Sequence, residues 1–300
     1  MQQQLGFDQP DQPTFDSAGK HIDKTRKRIL CFGGGVDSSA MLFKHLLTGC
    51  LNIDHVVFSD TGAEKKETYN NVNKFKGFCE SQNIPFDIVT HHKENLTEWL
   101  LRNGSLPLLP QGASHLCSVK FKAEVIQRFL TTNYPDTEFT MLIGIEADEG
   151  RRSARFTKPK NDTNEYEYPL QEWGWTRQIC VDYLEKMNLK VVKSSCVYCP
   201  FMKEDEIREV FQDKDQWNTV KQIEHKFRET SPAKHQRWLD AGKPLIQLKT
   251  KNKDGSHKTR APVGMWKVDT WKSGGRLFTS AKIDGKKVSV DEWEEKLKDE

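Results

Sequence analysis

The 300-residue sequence contains no apolar run approaching the roughly 18 residues that a membrane-spanning helix needs. Its opening stretch, MQQQLGFDQPDQPTF, lacks the basic-then-apolar pattern of a secretory signal. Membrane insertion and export are excluded on this reading, and a cytoplasmic chain is expected. Cysteine is sparse: seven residues, an odd number, are too few to staple a chain of this length. A reducing compartment fits, with some thiols left to bind metal or do chemistry. Charge of one sign is also lacking, since 46 Lys and Arg face 43 Asp and Glu for a net +3. That balance excludes no partner until the charges are placed along the chain. Apolar mass is not lacking. The 16 Phe, 8 Trp and 6 Tyr can build a sizeable core despite a mean hydropathy of −0.74, which excludes global disorder.

Residues 1–25 are rich in Gln, Asp and Pro and read as an N-terminal arm. From Arg28 onward, short β-like runs alternate with longer amphipathic stretches. Strands are predicted at Arg28–Phe32, His55–Phe58, Phe86–Val89 and Thr140–Ile143. Helices are predicted at Ser38–Leu47, Glu67–Gln82, Lys120–Thr131 and Arg177–Met187. Alternation at this spacing predicts an α/β fold with a doubly wound, mostly parallel sheet over residues 26–200. Residues 201–245 carry helical periodicity, with Trp217, Ile223, Phe227 and Trp238 as expected core anchors. Residues 246–300 read as a basic, β-rich extension, punctuated by the turn signals Asp254-Gly255 and Asp284-Gly285. At 300 residues, one α/β domain with a C-terminal annex fits better than two equal domains.

The overall charge hides a split. Between Lys249 and Lys287, eleven Lys and Arg stand against Asp254, Asp269 and Asp284, a surplus of +8. The rest of the chain therefore carries −5 of the overall +3. Trp266, Trp271 and Phe278 are interleaved with these cations, a pattern suited to phosphate contacts and base stacking on a nucleic acid. The plainer alternative is a solvated hairpin whose lysines protect an edge strand.

The segment Cys31-Phe-Gly-Gly-Gly-Val-Asp-Ser-Ser39 runs from a predicted strand through three glycines into a predicted helix. Glycines allow close backbone approach to an anion, and successive N–H groups form a concave nest. The following helix adds the positive end of its dipole, and serine hydroxyls can donate to phosphate oxygens. Gly33, Gly34, Gly35, Asp37, Ser38 and Ser39 are thus candidate phosphate-binding residues. The loop is neither a dinucleotide fingerprint nor a Walker loop, because the Lys-Ser/Thr pair is missing.

This loop resembles the SGGxDS loop of the PP-loop ATP pyrophosphatases, also called adenine nucleotide alpha-hydrolases, with Gly33 where that family usually has Ser. Ser59-Asp-Thr-Gly-Ala-Glu-Lys-Lys-Glu-Thr68 resembles the DTGxxFPET segment of the phosphoadenosine phosphosulfate (PAPS) reductase-like branch, with Lys65 and Lys66 replacing Phe-Pro. Cys117-Ser-Val-Lys-Phe-Lys122, Ile143-Gly-Ile-Glu-Ala-Asp-Glu-Gly-Arg-Arg152 and Tyr168-Pro-Leu-Gln-Glu-Trp173 are similar to three further elements of that branch, in the same order. The resemblance covers about residues 28–200. It implies ATP, or an adenylylated nucleotide, bound with Mg²⁺ and cleaved between the α and β phosphates to adenylylate an acceptor. Asp60, Thr61, Gly62 and Gly144 join the nucleotide-binding candidates. Asp37, Lys120, Arg151 and Arg152 are candidates for catalysis, the cations because Lys and Arg can contact phosphate or developing charge.

Sulfonucleotide reduction itself is disfavoured, because the family's nucleophilic cysteine lies near the C-terminus and no cysteine here follows Cys199. The sequence offers Ser194-Ser-Cys-Val-Tyr-Cys-Pro-Phe201 instead, a CxxC half-site for zinc or an iron–sulfur cluster. With Cys117 it makes three thiolates, and the resemblance to tRNA-thiolating PP-loop enzymes implies a [4Fe-4S] cluster on Cys117, Cys196 and Cys199. Zn²⁺ is the alternative, with His115 as a possible fourth ligand; Cys180 is a fourth candidate for the cluster. Cys31, Cys50 and Cys79 read as small packed hydrophobes. The expectation is an ATP-dependent sulfur transfer, or a related modification, on nucleic acid or a nucleotide, served by a sulfur-donor protein. The alternatives are a nucleotide-binding accessory subunit of a nucleic-acid-handling complex, and a sulfonucleotide reductase using Cys196 or Cys199.

Overall fold

The computed structural model describes residues 25–107, 110–111, 114–154, 158, 162–242, 246–252, 254–260 and 276–300. The expected N-terminal arm, apart from its last residue, and Trp266 and Trp271 of the basic segment lie outside the described residues. The chain forms two compact units. The first joins the described residues up to His92 with Lys120–Ser195, and the second joins Lys93–Val119 with Cys196–Glu300.

The first unit holds a five-stranded sheet of β1 (Lys27–Phe32), β2 (His55–Asp60), β3 (Phe86–Thr90), β4 (Phe139–Ile143) and β5 (Glu165–Glu167). The strand order is β3-β2-β1-β4-β5, and every pairing is parallel. Its main helices are α1 (Val36–Thr48), α2 (Lys66–Ser81), α3 (Glu124–Asn133) and α4 (Arg177–Lys186). The expected doubly wound α/β architecture is what the chain adopts.

Side-chain alternation along the strands divides the core. Leu30, Phe32, Val56, Phe58 and Leu142 pack with Met41 and Leu42 of α1, Val72 and Phe75 of α2, and Leu184 of α4. Ile29, Val57, Phe139 and Met141 point the other way, onto Ile126 and Leu130 of α3. Covering both faces explains why β1 and β2 read as near-continuous apolar runs rather than alternating ones. The edges differ in kind. β3 leaves Ile88 exposed, whereas β5 is three residues of Glu-Tyr-Glu, too short and charged to stand out before its partner is known. Buried Arg28 ties β1 to that edge, donating to both carboxylate oxygens of Glu167 at 3.1 and 2.6 Å and to the Leu51 carbonyl at 2.7 Å.

The chain leaves β1 for β2 on one side, while β4 lies on the other. The sheet therefore reverses its winding at the carboxyl end of β1, where open α/β sheets form a ligand crevice. The segments following β1, β2 and β4 all emerge at that end.

The second unit is mainly helical. Helices span Leu96–Asn103, Glu204–Gln212, Lys214–Asp240 and Val290–Lys298, and Ile246–Lys251 pairs antiparallel with His257–Arg260 across the Asp254-Gly255 turn. Trp217 and Ile223 are core residues as expected, whereas Phe227 and Trp238 are only half-buried. The helix Val290–Lys298 departs from the β-rich reading of residues 246–300. Its buried Val290, Trp293 and Leu297 recur at helical spacing, and the Ser289 hydroxyl and Glu292 carboxylate form a capping box. Glu224, fully buried, accepts the backbone N–H groups of Leu277 at 2.8 Å and Val290 at 3.2 Å. No described helix is long and apolar enough to cross a membrane.

Candidate functional site

The three glycines follow β1 directly, and Gly35 is the N-cap of α1 with no side chain capping the helix. Gly34 has φ +71°, and a Cβ there would stand 2.9 Å from Thr68 Cγ2 and 3.1 Å from Val72 Cγ2. Backbone handedness and the approach of α2 therefore both require glycine. Gly144, just after β4, meets the loop from the other side: a Cβ would lie 3.1 Å from the Ser38 backbone nitrogen and Cα. Gly33 is under no such pressure, since an added Cβ would meet only the Ser38 hydroxyl at 3.6 Å.

The two serines work inside the loop. The Gly33 N–H donates to Ser38 Oγ at 3.1 Å, and the Ser38 hydroxyl donates to the Gly35 carbonyl at 3.3 Å. Asn71 of α2, which sequence reasoning missed, donates from Nδ2 to the Gly34 carbonyl and to Ser39 Oγ, each at 2.8 Å. Ser39 is thereby fully buried, holding α1 to α2.

Asp37 lies in the first turn of α1 and is only 8% exposed. Its Oδ2 meets Arg177 Nη2 at 2.8 Å, while Oδ1 is buried with no hydrogen-bond partner. Burial pushes the Asp37 carboxyl up to about 6; Arg177 opposes that rise, Glu146 and Glu149 add to it, and Arg152 opposes it. The sequence places Arg177 only at the start of a helix, because nothing local marks a partner so far along the chain.

Beyond β2, Asp60 organises its own turn. Its Oδ1 accepts from the Gly62 N–H at 2.7 Å and from the Tyr69 hydroxyl at 2.8 Å. Burial and Asp60 raise the Tyr69 pKa. Thr61 donates to Glu64 Oε1 at 3.2 Å, and Lys122 reaches the same oxygen at 3.0 Å, in a site where the Glu64 side chain is 1% exposed. Lys65 is buried and donates its backbone N–H to the Ser195 carbonyl at 3.0 Å. Ser194, one residue earlier, packs on Gly35: a Cβ on that glycine would lie 2.6 Å from Ser194 Oγ. Thr68 Oγ1 and Ser195 Oγ are buried without hydrogen-bond partners. Neither the Glu64–Lys122 pair nor the Ser194-Ser195 wall has a signature readable from spacing.

The cationic candidates are less tightly gathered. Arg151 and Arg152 are exposed on the short helix Gly150–Ala154, and Arg152 pairs with Glu149 at 2.9 Å. Lys120 Nζ stands 5.4 Å from the Phe121 ring centre. Of the three, Arg152 contributes to the field at Asp37.

In the second unit, Cys117, Cys196 and Cys199 are all half-buried, and the Cys199 N–H donates to the Cys196 carbonyl at 3.0 Å. Among the described residues, no group of three or more His, Cys, Asp and Glu side chains is placed to hold a metal ion. His115 packs its ring 5.2 Å from that of Phe201. The other cysteines behave as packed thiols: burial pushes Cys31, Cys79 and Cys180 up to about 12, and raises Cys50. Phe278, expected beside the cations for base stacking, is fully buried and stacks on Trp217 at 6.4 Å. Lys251, Lys258, Lys282, Lys286 and Lys287 of the basic segment are exposed.

Residues 27–193 match the family described as Phosphoadenosine phosphosulfate reductase domain. No curated protein matches the chain by sequence. Among solved structures, the chain is similar to the U34-tRNA thiolase NcsA from Methanococcus maripaludis, determined with its [4Fe-4S] cluster. That likeness is 15% in identity, covers 71% of this chain and 72% of that one, and has a TM-score of 0.39.

Proposed function

The chain belongs to the phosphoadenosine phosphosulfate reductase domain family, and on that premise we propose that its first unit binds ATP by the phosphates and cleaves it between the α and β phosphorus atoms. The observation that carries this reading is the Gly33–Gly35 loop. It lies at the winding reversal of the sheet, on the uncapped end of α1, with backbone clearance enforced at Gly34 and Gly144. Backbone N–H groups and the helix dipole there suit the departing pyrophosphate.

An acceptor oxygen attacks the α-phosphorus, the bond to the bridging β-phosphate oxygen breaks, and pyrophosphate leaves with the bonding pair. The acceptor's proton passes to solvent, leaving an AMP ester. A sulfide-level donor then displaces AMP, with carbon–sulfur bond formation matched by carbon–oxygen cleavage. The chain's own share is positioning and charge stabilisation. Asp60, Thr61 and Gly62 shape the wall beside the loop, while Lys120, Arg151 and Arg152 supply cations for the phosphates. The buried, unpartnered Asp37 Oδ1 fits a hard cation, so Asp37 would be the protein ligand of nucleotide-borne Mg²⁺. When bound, that ion offsets the charge of the leaving pyrophosphate.

We assign the acceptor to nucleic acid or a nucleotide. Support comes from the exposed lysines of the C-terminal segment, which suit phosphate backbone contacts. The test is pyrophosphate release from ATP with duplex DNA, single-stranded DNA or tRNA present. Release stimulated by one of these is expected, and its absence under every condition would overturn the assignment.

A further inference from the structure

A carboxylate at the mouth of an anion site poses an electrostatic problem. Asp37 is the second residue of α1, so its charge sits at the same helix end that would receive a pyrophosphate group. Glu146 and Glu149 add negative potential there, and Arg152 relieves part of it. With only these groups, the loop would repel the ligand that its backbone is shaped to take.

We infer that Arg177 is a positioning residue of the phosphate site: its guanidinium neutralises Asp37, so that the loop accepts a phosphate anion before any divalent cation arrives. The inference rests on the reading of the loop as a phosphate site. Three observations carry it. The ion pair is close, 2.8 Å between Arg177 Nη2 and Asp37 Oδ2. It uses only one carboxylate oxygen, and Oδ1 stays buried with no hydrogen-bond partner. The partners also differ in freedom, because the Asp37 side chain is 10% exposed and that of Arg177 is 44% exposed.

The backbone of Arg177 is anchored where α4 begins, with Thr176 Oγ1 accepting the Ile179 N–H at 3.4 Å. The side chain lies toward solvent and can yield Asp37 to an incoming cation without disturbing the core. Arg177 and a nucleotide-borne Mg²⁺ are therefore alternative counter-charges for one carboxylate. Each should weaken the need for the other.

The experiment is equilibrium binding of ATP and of inorganic pyrophosphate to the full chain, in EDTA and in Mg²⁺ at fixed ionic strength. Wild type, Arg177→Gln, Arg177→Lys and the double variant Asp37→Asn/Arg177→Gln are compared. Wild type should bind in EDTA, and Arg177→Gln should lose about tenfold or more there while losing much less in Mg²⁺. Arg177→Lys should recover part of the loss. The double variant should recover metal-free binding, because the charge that needed cancelling is gone. Mn²⁺ alone, followed by its electron paramagnetic signal, should bind Arg177→Gln more tightly than wild type. Equal losses with and without Mg²⁺, no loss at all, or no recovery in the double variant would each overturn the inference. If wild type binds neither ligand in either condition, the phosphate-site reading itself falls and takes this inference with it.

Discussion

Single residues decide whether the β1 loop can hold an anion, and Gly33 is the most open of them. Its only close neighbour would be the Ser38 hydroxyl, so Gly33→Ser fits without moving backbone. The variant should fold normally and bind ATP more tightly, because a hydroxyl donor is added beside the cradle. Calorimetric titration checks this, and weaker binding would show that the glycine is required. His45, further along α1, reports on the same helix through pH. Burial lowers its pKa from the ordinary 6.5 to about 4, and its Nδ1 accepts the Leu51 N–H at 3.3 Å, which needs the neutral ring. Between those pH values the unfolded chain takes up the proton that the folded chain refuses. The stabilisation is thus complete above pH 6.5 and is lost as pH falls through that window, by about 3 kcal/mol. Denaturation midpoints measured across this range should fall with pH, and His45→Gln should flatten the dependence.

At the scale of elements, the cradle is an assembly of α1, α2 and the segments after β2 and β4. Asn71 is the clamp between α2 and the loop. Asn71→Ala would leave the Gly34 carbonyl and Ser39 Oγ without their donor. It should cost about 1–3 kcal/mol of stability and loosen nucleotide binding; denaturation and titration with the same preparation read both. These elements were legible in different degrees. β1, β2 and α1 announce themselves through buried apolar runs and helical periodicity, and the glycines mark the turn between them. Asn71 and Arg177 do not, since each is an ordinary polar residue on a helix until the fold brings its partner from a distant segment. Helix Val290–Lys298 is legible locally, since Ser289 and Glu292 spell a capping box, but the basic, turn-rich stretch before it carries a strand-like pattern that masks it.

Across the whole molecule, charge is distributed by segment. The surplus of +8 between Lys249 and Lys287 was countable from composition, but the role of its aromatics was not. Phe278 is a core residue, because its stacking partner Trp217 belongs to a helix that composition cannot place beside it. Nucleic-acid binding should therefore rest on exposed lysines and fall with salt. Lys286→Glu with Lys287→Glu should weaken it and shallow its salt dependence in fluorescence anisotropy, with ATP affinity unchanged. The spacing of Cys117, Cys196 and Cys199 points to a metal centre, and the structure adds that all three are half-buried in the second unit. The central proposal is that the β1 loop holds the phosphates of ATP and that the bond broken lies between the α and β phosphorus atoms. The most direct measurement follows the products of ATP labelled in its α-phosphate and, in parallel, in its γ-phosphate, with DNA or tRNA present, in wild type and Gly34→Ala. Equal amounts of AMP-level product and pyrophosphate from wild type, abolished in the variant, are expected; ADP and inorganic phosphate, or products unaffected by Gly34→Ala, would contradict it.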